Sequence, residues 1–345
     1  MTRPVFIPAA QLCGAFYREA VRPLLSGVPH AAALLGWGSD VLGYDTAQSV
    51  DHGWGPRLHV FVESERRTDE LTGMLDDRLP EEFEGWPVRF GWDAVAIRHH
   101  VTVTTLSRWT VDYLGVDATD GMSTLDWLLT PQQRLLGVVG GAVYADDEGA
   151  LSRLRELLAW YPDQVWRWLL ACQWRRLAQE EAFVARAAQV GDTTGSAVTA
   201  ARLVRDMMRL AMLLKRRYAP YQKWLGTAFA QLSHDDDLPS SLARVLDASD
   251  AAARESALGD AWSALAIRHN NARLTDAVDP STRKYHELPA RVLMADRFVD
   301  ACMETVTDAG LRSLPLVGAI DQTVDNTDVL QDPAVYRHLA GLYER

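Results

Sequence analysis

The segment "LLGWGSDVLGYDTAQSVDHGWGPRLHVFV" (residues 34–62) places two apolar runs on either side of a polar connection. The first run stops at Gly38 and Ser39, and the second begins shortly after Asp51. Two interpretations fit this pattern. It is typical of two strands joined by a polar loop. It is also typical of a nucleotide site, where a turn of small residues approaches phosphate and a carboxylate beside the next strand holds a metal ion.

The neighbouring sequence extends the strand pattern and adds a helix. Residues 31–37 and 57–63 are apolar runs that predict buried strands, and residues 86–92 and 99–106 predict two more because they are rich in aromatic and β-branched side chains. Residues 64–83 have the charge content and spacing of a surface helix. We therefore predict a small α/β domain over residues 1–116.

From residue 117 onward the apolar residues recur at helical spacing, and a polar break over 190–196 separates two long helical segments, 162–188 and 195–218. This pattern predicts an all-α helical bundle over residues 117–345. The predicted fold class is α+β, a small mixed sheet with helices followed by the larger helical domain.

Composition excludes several classes of protein. The chain has 345 residues and a formal net charge of −11, which argues against a non-specific nucleic-acid binder. The three cysteines are far apart and lack the spacing of a zinc site. We expect no signal peptide and no membrane-spanning helix, since the chain lacks a sufficiently long apolar run. A cytoplasmic location without a membrane partner is the resulting expectation.

The spacing of Gly38, Ser39 and Asp51 resembles the signature of the DNA polymerase beta type of nucleotidyltransferase. In that superfamily Gly-Ser ends a strand, and a pair of aspartates in the pattern Asp-x-Asp follows on the next strand. Alternation along a strand directs both carboxylates to one face. The resemblance implies that Gly38 and Ser39 bind phosphate and that Asp51 binds Mg²⁺ and acts in catalysis.

Longer phrases are similar to an uncharacterised bacterial family known only as a domain of unknown function and commonly placed near the nucleotidyltransferases. The phrases include "GSDVLGYDTAQSVDHGWGPRL" (38–58), "TLDWLLTPQQRLL" (124–136), "LAWYPDQVWRWLLACQWRRLAQEEAFVARAAQVGD" (158–192) and "VDNTDVL" (324–330). The resemblance implies a nucleotidyltransferase-like domain followed by a helical domain. It implies transfer of a nucleoside monophosphate from a nucleoside triphosphate to a hydroxyl of an unknown small-molecule acceptor, with Mg²⁺ as cofactor.

The chain departs from the superfamily pattern at the second carboxylate, where Gly53 stands in "DHGWGP". The candidate third strand, 99–106, carries no carboxylate. Asp40 and Asp45 remain as possible further metal ligands. Either the site is assembled differently from that of the superfamily, or the protein binds a ligand without catalysing transfer.

Two residues beside the motif have both a functional and a structural interpretation. Arg57 could clamp a phosphate, or it could form a salt bridge with Asp45 or Asp51. Trp54 could stack on a base, although a loop tryptophan more often covers the core.

In segment 162–188, Glu180 and Glu181 flank a stripe of apolar residues that we expect to be buried. This stripe consists of Trp166, Leu170, Leu177 and Val184. A half-buried carboxylate has a raised pKa, so either glutamate could act as the general base for an acceptor hydroxyl. The alternative is an ion pair with an arginine of the next helix.

That next helix carries a row of arginines on one face: Arg202, Arg205, Arg209 and Arg216. The row could line a cleft for triphosphate, with Arg205 and the following Lys223 as phosphate contacts, or it could be a solvated face. Three hypotheses remain: an Mg-dependent nucleotidyltransferase, a degenerate nucleotide- or ligand-binding protein, and a protein-interaction module.

Overall fold

The computed structural model describes residues 4–93, 95–233, 236–286 and 290–344. It confirms the predicted α+β class, with one five-stranded sheet and many helices. The chain divides into two compact units. The sheet unit comprises Met1–Asp126, Gln133–Ala159 and Gln331–Arg337, and the helical unit comprises Trp127–Gln132, Trp160–Leu330 and His338–Arg345.

The predicted strands 31–37, 57–63 and 99–106 are present with shifted ends, whereas the predicted strand 86–92 is divided into two short strands in different sheets. The strands are β1 (Ala31–Leu34), β2 (Arg57–Phe61), β3 (Glu82–Phe83), β4 (Trp86–Pro87), β5 (Arg89–Trp92), β6 (Val95–Thr104), β7 (Ala142–Asp146), β8 (Arg283–Lys284) and β9 (Arg291–Val292).

The helices follow in chain order. They are α1 (Ala9–Phe16), α2 (Glu65–Arg78), α3 (Leu106–Leu114), α4 (Thr124–Leu129), α5 (Gln132–Val139), α6 (Ala150–Leu157), α7 (Asp163–Glu180), α8 (Phe183–Gln189), α9 (Thr193–Leu214), α10 (Gln222–Ala230), α11 (Leu238–Asp247), α12 (Ala251–Asn271), α13 (Asp296–Glu304), α14 (Ala309–Ser313), α15 (Ile320–Thr323), α16 (Thr327–Gln331) and α17 (Pro333–Tyr336). A π-helical turn (Tyr17–Val21) and 3₁₀ turns (Arg22–Leu25, Ser49–Asp51, Arg337–Tyr343) complete the regular structure.

The main sheet has the strand order β5-β6-β2-β1-β7. Strands β2 and β6 are parallel, and the other neighbouring pairs are antiparallel. Because β1 and β2 run antiparallel with Ala33 opposite His59, the end of β1 lies beside the start of β2. Arg57 pairs in register with His100 of β6. The turn that follows β1 and the segment that precedes β2 therefore meet at one edge of the sheet.

Strand β7 lies after residue 116, at which we placed the end of the α/β domain. It pairs with β1, with Ala31 opposite Asp146. The sheet therefore takes one of its two edge strands from a segment of the chain beyond the predicted boundary. The domain boundary itself stays a prediction, whereas the strand content of the sheet is an observation.

The core of the sheet unit lies between the sheet and the helices that follow β2 and precede β1. Fully or almost fully buried residues from both layers meet there, including Phe16, Leu58, Val60, Leu75 and Val101. Helix α2 begins after Ser64, whose side chain accepts a hydrogen bond from the Arg67 N–H, as expected for an N-cap serine. This packing fixes the ends of β1 and β2, where the candidate site residues lie.

In the helical unit, the apolar stripe predicted for 162–188 is buried at all four positions. The segment is not one helix, however: α7 ends at Glu180 and α8 begins at Phe183. Within the part of the chain that the structure describes, no helix combines the length and apolar character needed to cross a membrane.

Candidate functional site

Arg57 and Asp40 form a buried ion pair at the edge of the sheet. Nε and Nη2 of Arg57 lie 2.9 Å and 2.7 Å from Oδ2 of Asp40, and both side chains are less than a tenth exposed. Nη2 also donates to the Trp37 carbonyl at 2.8 Å. The partner of Arg57 is thus Asp40, and not Asp45 or Asp51 as the sequence suggested. A buried, hydrogen-bonded pair of this kind is held firmly, because removing one partner leaves the other charge uncompensated.

The glycine of the Gly-Ser turn is explained by this ion pair. Gly38 has a φ of +120°, and a Cβ built on it would lie 2.1 Å from Oδ1 of Asp40. Ser39 is half-buried, and its carbonyl accepts a hydrogen bond from the Tyr44 N–H at 2.8 Å. The turn that resembles a phosphate-binding loop therefore encloses a carboxylate of the protein itself.

Asp45 also has a structural role. One of its carboxylate oxygens accepts hydrogen bonds from the Ala9 N–H at 2.7 Å and from Nε1 of Trp54 at 2.9 Å. Ala9 is the first residue of α1, where the partial positive charge of the helix favours an anion. Trp54 is buried and packs against Trp86 with ring centroids 4.6 Å apart, which supports the core interpretation of that tryptophan.

Asp51 stands apart from the other acidic candidates. It ends a 3₁₀ turn and is exposed, and no ion pair or hydrogen bond of its side chain is found among the described residues. The following residue, His52, places Nδ1 3.3 Å from Oδ2 of Asp93, and both of these side chains are largely exposed.

Aromatic rings occupy the position at which the superfamily has its second carboxylate. A Cβ built on Gly53, whose φ is +65°, would lie 2.7 Å from Cη2 of Trp37 and 3.5 Å from Cε2 of Trp92. The two indole rings have centroids 5.9 Å apart. An acidic side chain at residue 53 would have to displace Trp37.

The two tryptophans belong to a group of rings that we call the strand-end cluster. It consists of Trp37, His52, Phe90, Trp92 and His100. His100 lies 5.0 Å from Trp92 and 4.3 Å from Phe90 between ring centroids. Trp37 is 49% exposed, although it is one of the largest apolar side chains. An exposed aromatic surface with polar residues at its border is typical of a ligand-binding site.

The described residues do not fit a resident two-metal centre. They contain no group of three or more histidine, cysteine, aspartate or glutamate side chains arranged to hold a metal ion. Asp40 is paired with Arg57, Asp45 is bound to α1 and Trp54, and Gly53 contributes no ligand. Asp51 is the remaining member of the predicted metal set.

Trp37, Phe90 and Trp92 are not among the site residues predicted from the sequence. A signal was present, because Trp37 immediately precedes the Gly-Ser pair and Trp92 ends a predicted strand. The packing of Trp37 over Gly53 depends on the antiparallel pairing of β1 and β2, which the local pattern does not specify.

In the helical unit, the two candidate base residues have different environments. Glu180 is ion-paired with Arg202 of α9 at 3.1 Å, the alternative considered for these glutamates. Glu181 is buried, and its carboxylate accepts hydrogen bonds from the Ala295 N–H at 3.2 Å and 3.4 Å. Burial raises the pKa of Glu181 to about 7, although backbone donors, that of Ala295 first, oppose the rise.

Three arginines of the predicted row lie in α9 and make contacts within the helical unit, whereas Arg216 lies beyond the end of α9 at Leu214. Arg205 forms an ion pair with Asp325 and lies 3.5 Å from Asp206. Arg209 donates to the Asp321 carbonyl at 3.1 Å. Lys223 is exposed, with Nζ 5.0 Å from the ring centroid of Trp224.

Comparison with known proteins identifies a family over part of the chain but does not assign an activity. No curated protein matches the chain. A solved nucleotidyltransferase-like protein from Exiguobacterium sibiricum 255-15 is similar at 12% identity and a TM-score of 0.35, covering 86% of this chain and 89% of that one. The family model "Domain of unknown function (DUF4037)" matches residues 127–225, so the predicted resemblance to an uncharacterised family is confirmed over those residues.

Proposed function

We propose that this protein is a nucleotidyltransferase-like protein that binds a nucleotide at the strand-end cluster, with the base stacked on Trp37. The observation that carries the proposal is the half-exposed Trp37 ring, which lies over Gly53 and beside Trp92 at the edge of the sheet. Aromatic side chains bind bases by stacking, and each such contact contributes about 1–3 kcal/mol.

The charges around the cluster favour a metal-bound nucleotide over a free one. Asp51 and Asp93 are exposed carboxylates at this edge, and Arg57 is neutralised by Asp40. A free triphosphate would meet net negative charge here, whereas Mg²⁺ commonly binds through one or two carboxylates together with the phosphates of its ligand. We therefore expect Mg²⁺ to enter with the nucleotide, with Asp51 as its protein contact.

Transfer of a nucleoside monophosphate to a small-molecule hydroxyl is the activity that the sequence resemblance implies. A two-metal transfer needs several carboxylates to hold both ions and to stabilise the attacking and leaving oxygens. The structural roles of Asp40 and Asp45 and the ring packing over Gly53 do not support that mechanism. We therefore propose nucleotide binding without two-metal transfer as the function of this site.

Binding is tested by titrating ATP, GTP, CTP and UTP into the full-length protein by calorimetry, with and without Mg²⁺. We expect at least one Mg–nucleotide to bind and Trp37→Ala to weaken it about tenfold or more. Trp37→Phe keeps an aromatic face and should retain most of the affinity. Absence of binding by all four nucleotides, or equal binding by the alanine variant, would contradict the proposal.

Transfer is tested separately by measuring pyrophosphate release from each nucleoside triphosphate with Mg²⁺ and a mixture of hydroxylated small molecules. We expect no release above that of the Asp51→Asn variant. Release that depends on Asp51 would instead support the transferase hypothesis and show that the chain assembles its metal ligands differently.

A further inference from the structure

The helical unit contains a cavity of about 300 Å³ that is separate from the strand-end cluster. Its walls are one face of α8 and one face of α12, where residues recur at intervals of three and four. Opposed alanines, among them Ala188 and Ala252, leave space that larger side chains would fill. The volume is at the lower end of the range for small-molecule sites.

The cavity has a buried end and an open end. Glu181, Val184, Leu258 and Trp262 at one end are all less than a tenth exposed, whereas Ala252 at the other end is exposed. A ligand that enters from the open end would pass apolar walls before it meets the Glu181 carboxyl group. A site of this shape suits a molecule with an apolar body and one polar end.

The charges that face the cavity favour a cation. Glu181 and Glu255 both line it, and Glu255 accepts a hydrogen bond from the Arg291 N–H at 2.9 Å. Arg291 also lines the cavity, and its Nη2 donates to the Thr282 carbonyl at 2.6 Å. The cavity is therefore lined by two glutamates and one arginine, and the arginine already donates to a backbone carbonyl.

We propose that this cavity binds a small molecule that carries a protonated amine on an apolar body, with the amine against the Glu181 carboxylate. Glu181 accepts from the Ala295 N–H, and the backbone N–H groups of Met294 and Leu293 also act on it as hydrogen-bond donors. An ionised carboxylate has about four acceptor positions, so about one remains for an ammonium group. Charge-assisted hydrogen bonds of this kind are about twice as strong as neutral ones. The apolar body would cover Val184 and Leu258.

The raised pKa of Glu181 gives the proposal a second observable. The charged groups around this carboxyl are Asp296 and Arg297 of α13, Glu255 of α12 and Arg291 of β9. Because a bound ammonium stabilises the ionised form, we expect it to lower the pKa of Glu181 and to bind more tightly as the pH rises towards 8.

The experiment is calorimetric titration of the full-length protein at pH 8 with phenethylamine, tryptamine and n-hexylamine, each alone. Phenylacetate and 2-phenylethanol are the anionic and neutral probes matched to phenethylamine. We expect at least one amine to bind in the millimolar range or tighter, and both matched probes to bind at least tenfold more weakly. No binding by any of the amines, or equal binding by a matched probe, would overturn the proposal.

Two pairs of variants locate the binding. Glu181→Gln should weaken amine binding about tenfold, and Glu180→Gln should not, because Glu180 is paired with Arg202 outside the cavity. Ala252→Leu should block the open end, whereas Ala253→Leu, on an exposed residue outside the cavity lining, should bind normally. Unchanged affinity in both Glu181→Gln and Ala252→Leu would overturn the assignment. The second pair decides the matter if Glu181→Gln does not fold.

Discussion

At the scale of single residues, Gly38 and Gly53 each leave space that a neighbouring side chain occupies. Gly38 belongs to the part that resembles a phosphate loop, but its missing side chain makes room for the Asp40–Arg57 ion pair. Gly53 stands where the sequence resemblance implies a second carboxylate, and Trp37 occupies the space that an acidic side chain would need. The chain thus has an aromatic ring, that of Trp37, in the space that an acidic side chain at residue 53 would occupy.

We expect Gly53→Asp to lower the free energy of unfolding by about 1–3 kcal/mol, because the new side chain would overlap Trp37. Gly43→Asp is the matched control. Gly43 has a similar φ of +71°, but a Cβ there would meet no atom within 4 Å. Chemical unfolding of both variants and of Trp37→Ala/Gly53→Asp measures the effect. An equal cost for Gly53→Asp with and without Trp37 would show that ring overlap is not its cause.

We expect Arg57→Met to lower the free energy of unfolding by about 3–5 kcal/mol, because it leaves the Asp40 carboxylate buried without its partner. The double variant Asp40→Leu/Arg57→Met should be clearly more stable than the sum of the single effects predicts. Asp112→Ala, which removes the partner of Arg108 in an exposed pair, is the control and should change unfolding little. A stable Arg57→Met protein that has lost nucleotide binding would instead identify Arg57 as a phosphate contact.

At the scale of elements, the break between α7 and α8 contains Glu181, which lines the cavity of the helical unit. The periodicity of 162–188 predicted one helix, and the buried stripe of that helix is correct. The structure interrupts the helix at Glu181 and Ala182, where the Glu181 carboxylate accepts from the N–H of Ala295, immediately before α13. A local pattern of apolar residues cannot distinguish one helix from two that share the same buried side, because both satisfy it.

The Glu181 environment predicts a pH dependence of stability. The pKa of Glu181 is about 7 in the folded protein, against 4.5 as its ordinary value, so the folded state binds more protons between these pH values. The contribution of Glu181 to stability therefore falls as the pH rises from about 4.5 to about 7. At about 1.4 kcal/mol for each tenfold change in acidity, the whole effect is about 3 kcal/mol.

This dependence is measured by urea unfolding at pH 5, 6, 7 and 8. We expect Glu181→Gln to gain stability relative to the wild type as the pH rises through this range, since the glutamine carries no charge to bury. Glu180→Gln, at the neighbouring ion-paired position, should keep the wild-type dependence. Parallel curves for the wild type and Glu181→Gln would mean that Glu181 titrates at its ordinary pKa.

At the scale of the whole molecule, the sequence was sufficient for the fold class and insufficient for the composition of the sheet. Strands β1, β2, β5 and β6 were visible as runs of apolar, aromatic or β-branched residues, since such side chains suit the pleated, partly buried surface of a sheet. Strand β7 was missed because its five residues lie between helical segments and its pairing with β1 depends on a long-range contact. The parallel pairing of β2 and β6 was also not predicted from the sequence, because it joins residues that are far apart in the chain.

The sequence by itself determined which residues could bind a phosphate or a metal ion, namely the Gly-Ser turn, Asp51 and the other acidic candidates. It also determined the apolar stripe of α7 and α8. Residue type and local spacing fix these properties, because hydrogen-bonding capacity, charge and periodicity are local. The tertiary structure decided which of these residues are already engaged in contacts within the protein. It pairs Asp40 with Arg57 and packs Trp37 over Gly53. The physical reason is that burial and pairing depend on neighbours across the sheet, and those neighbours come from other segments of the chain.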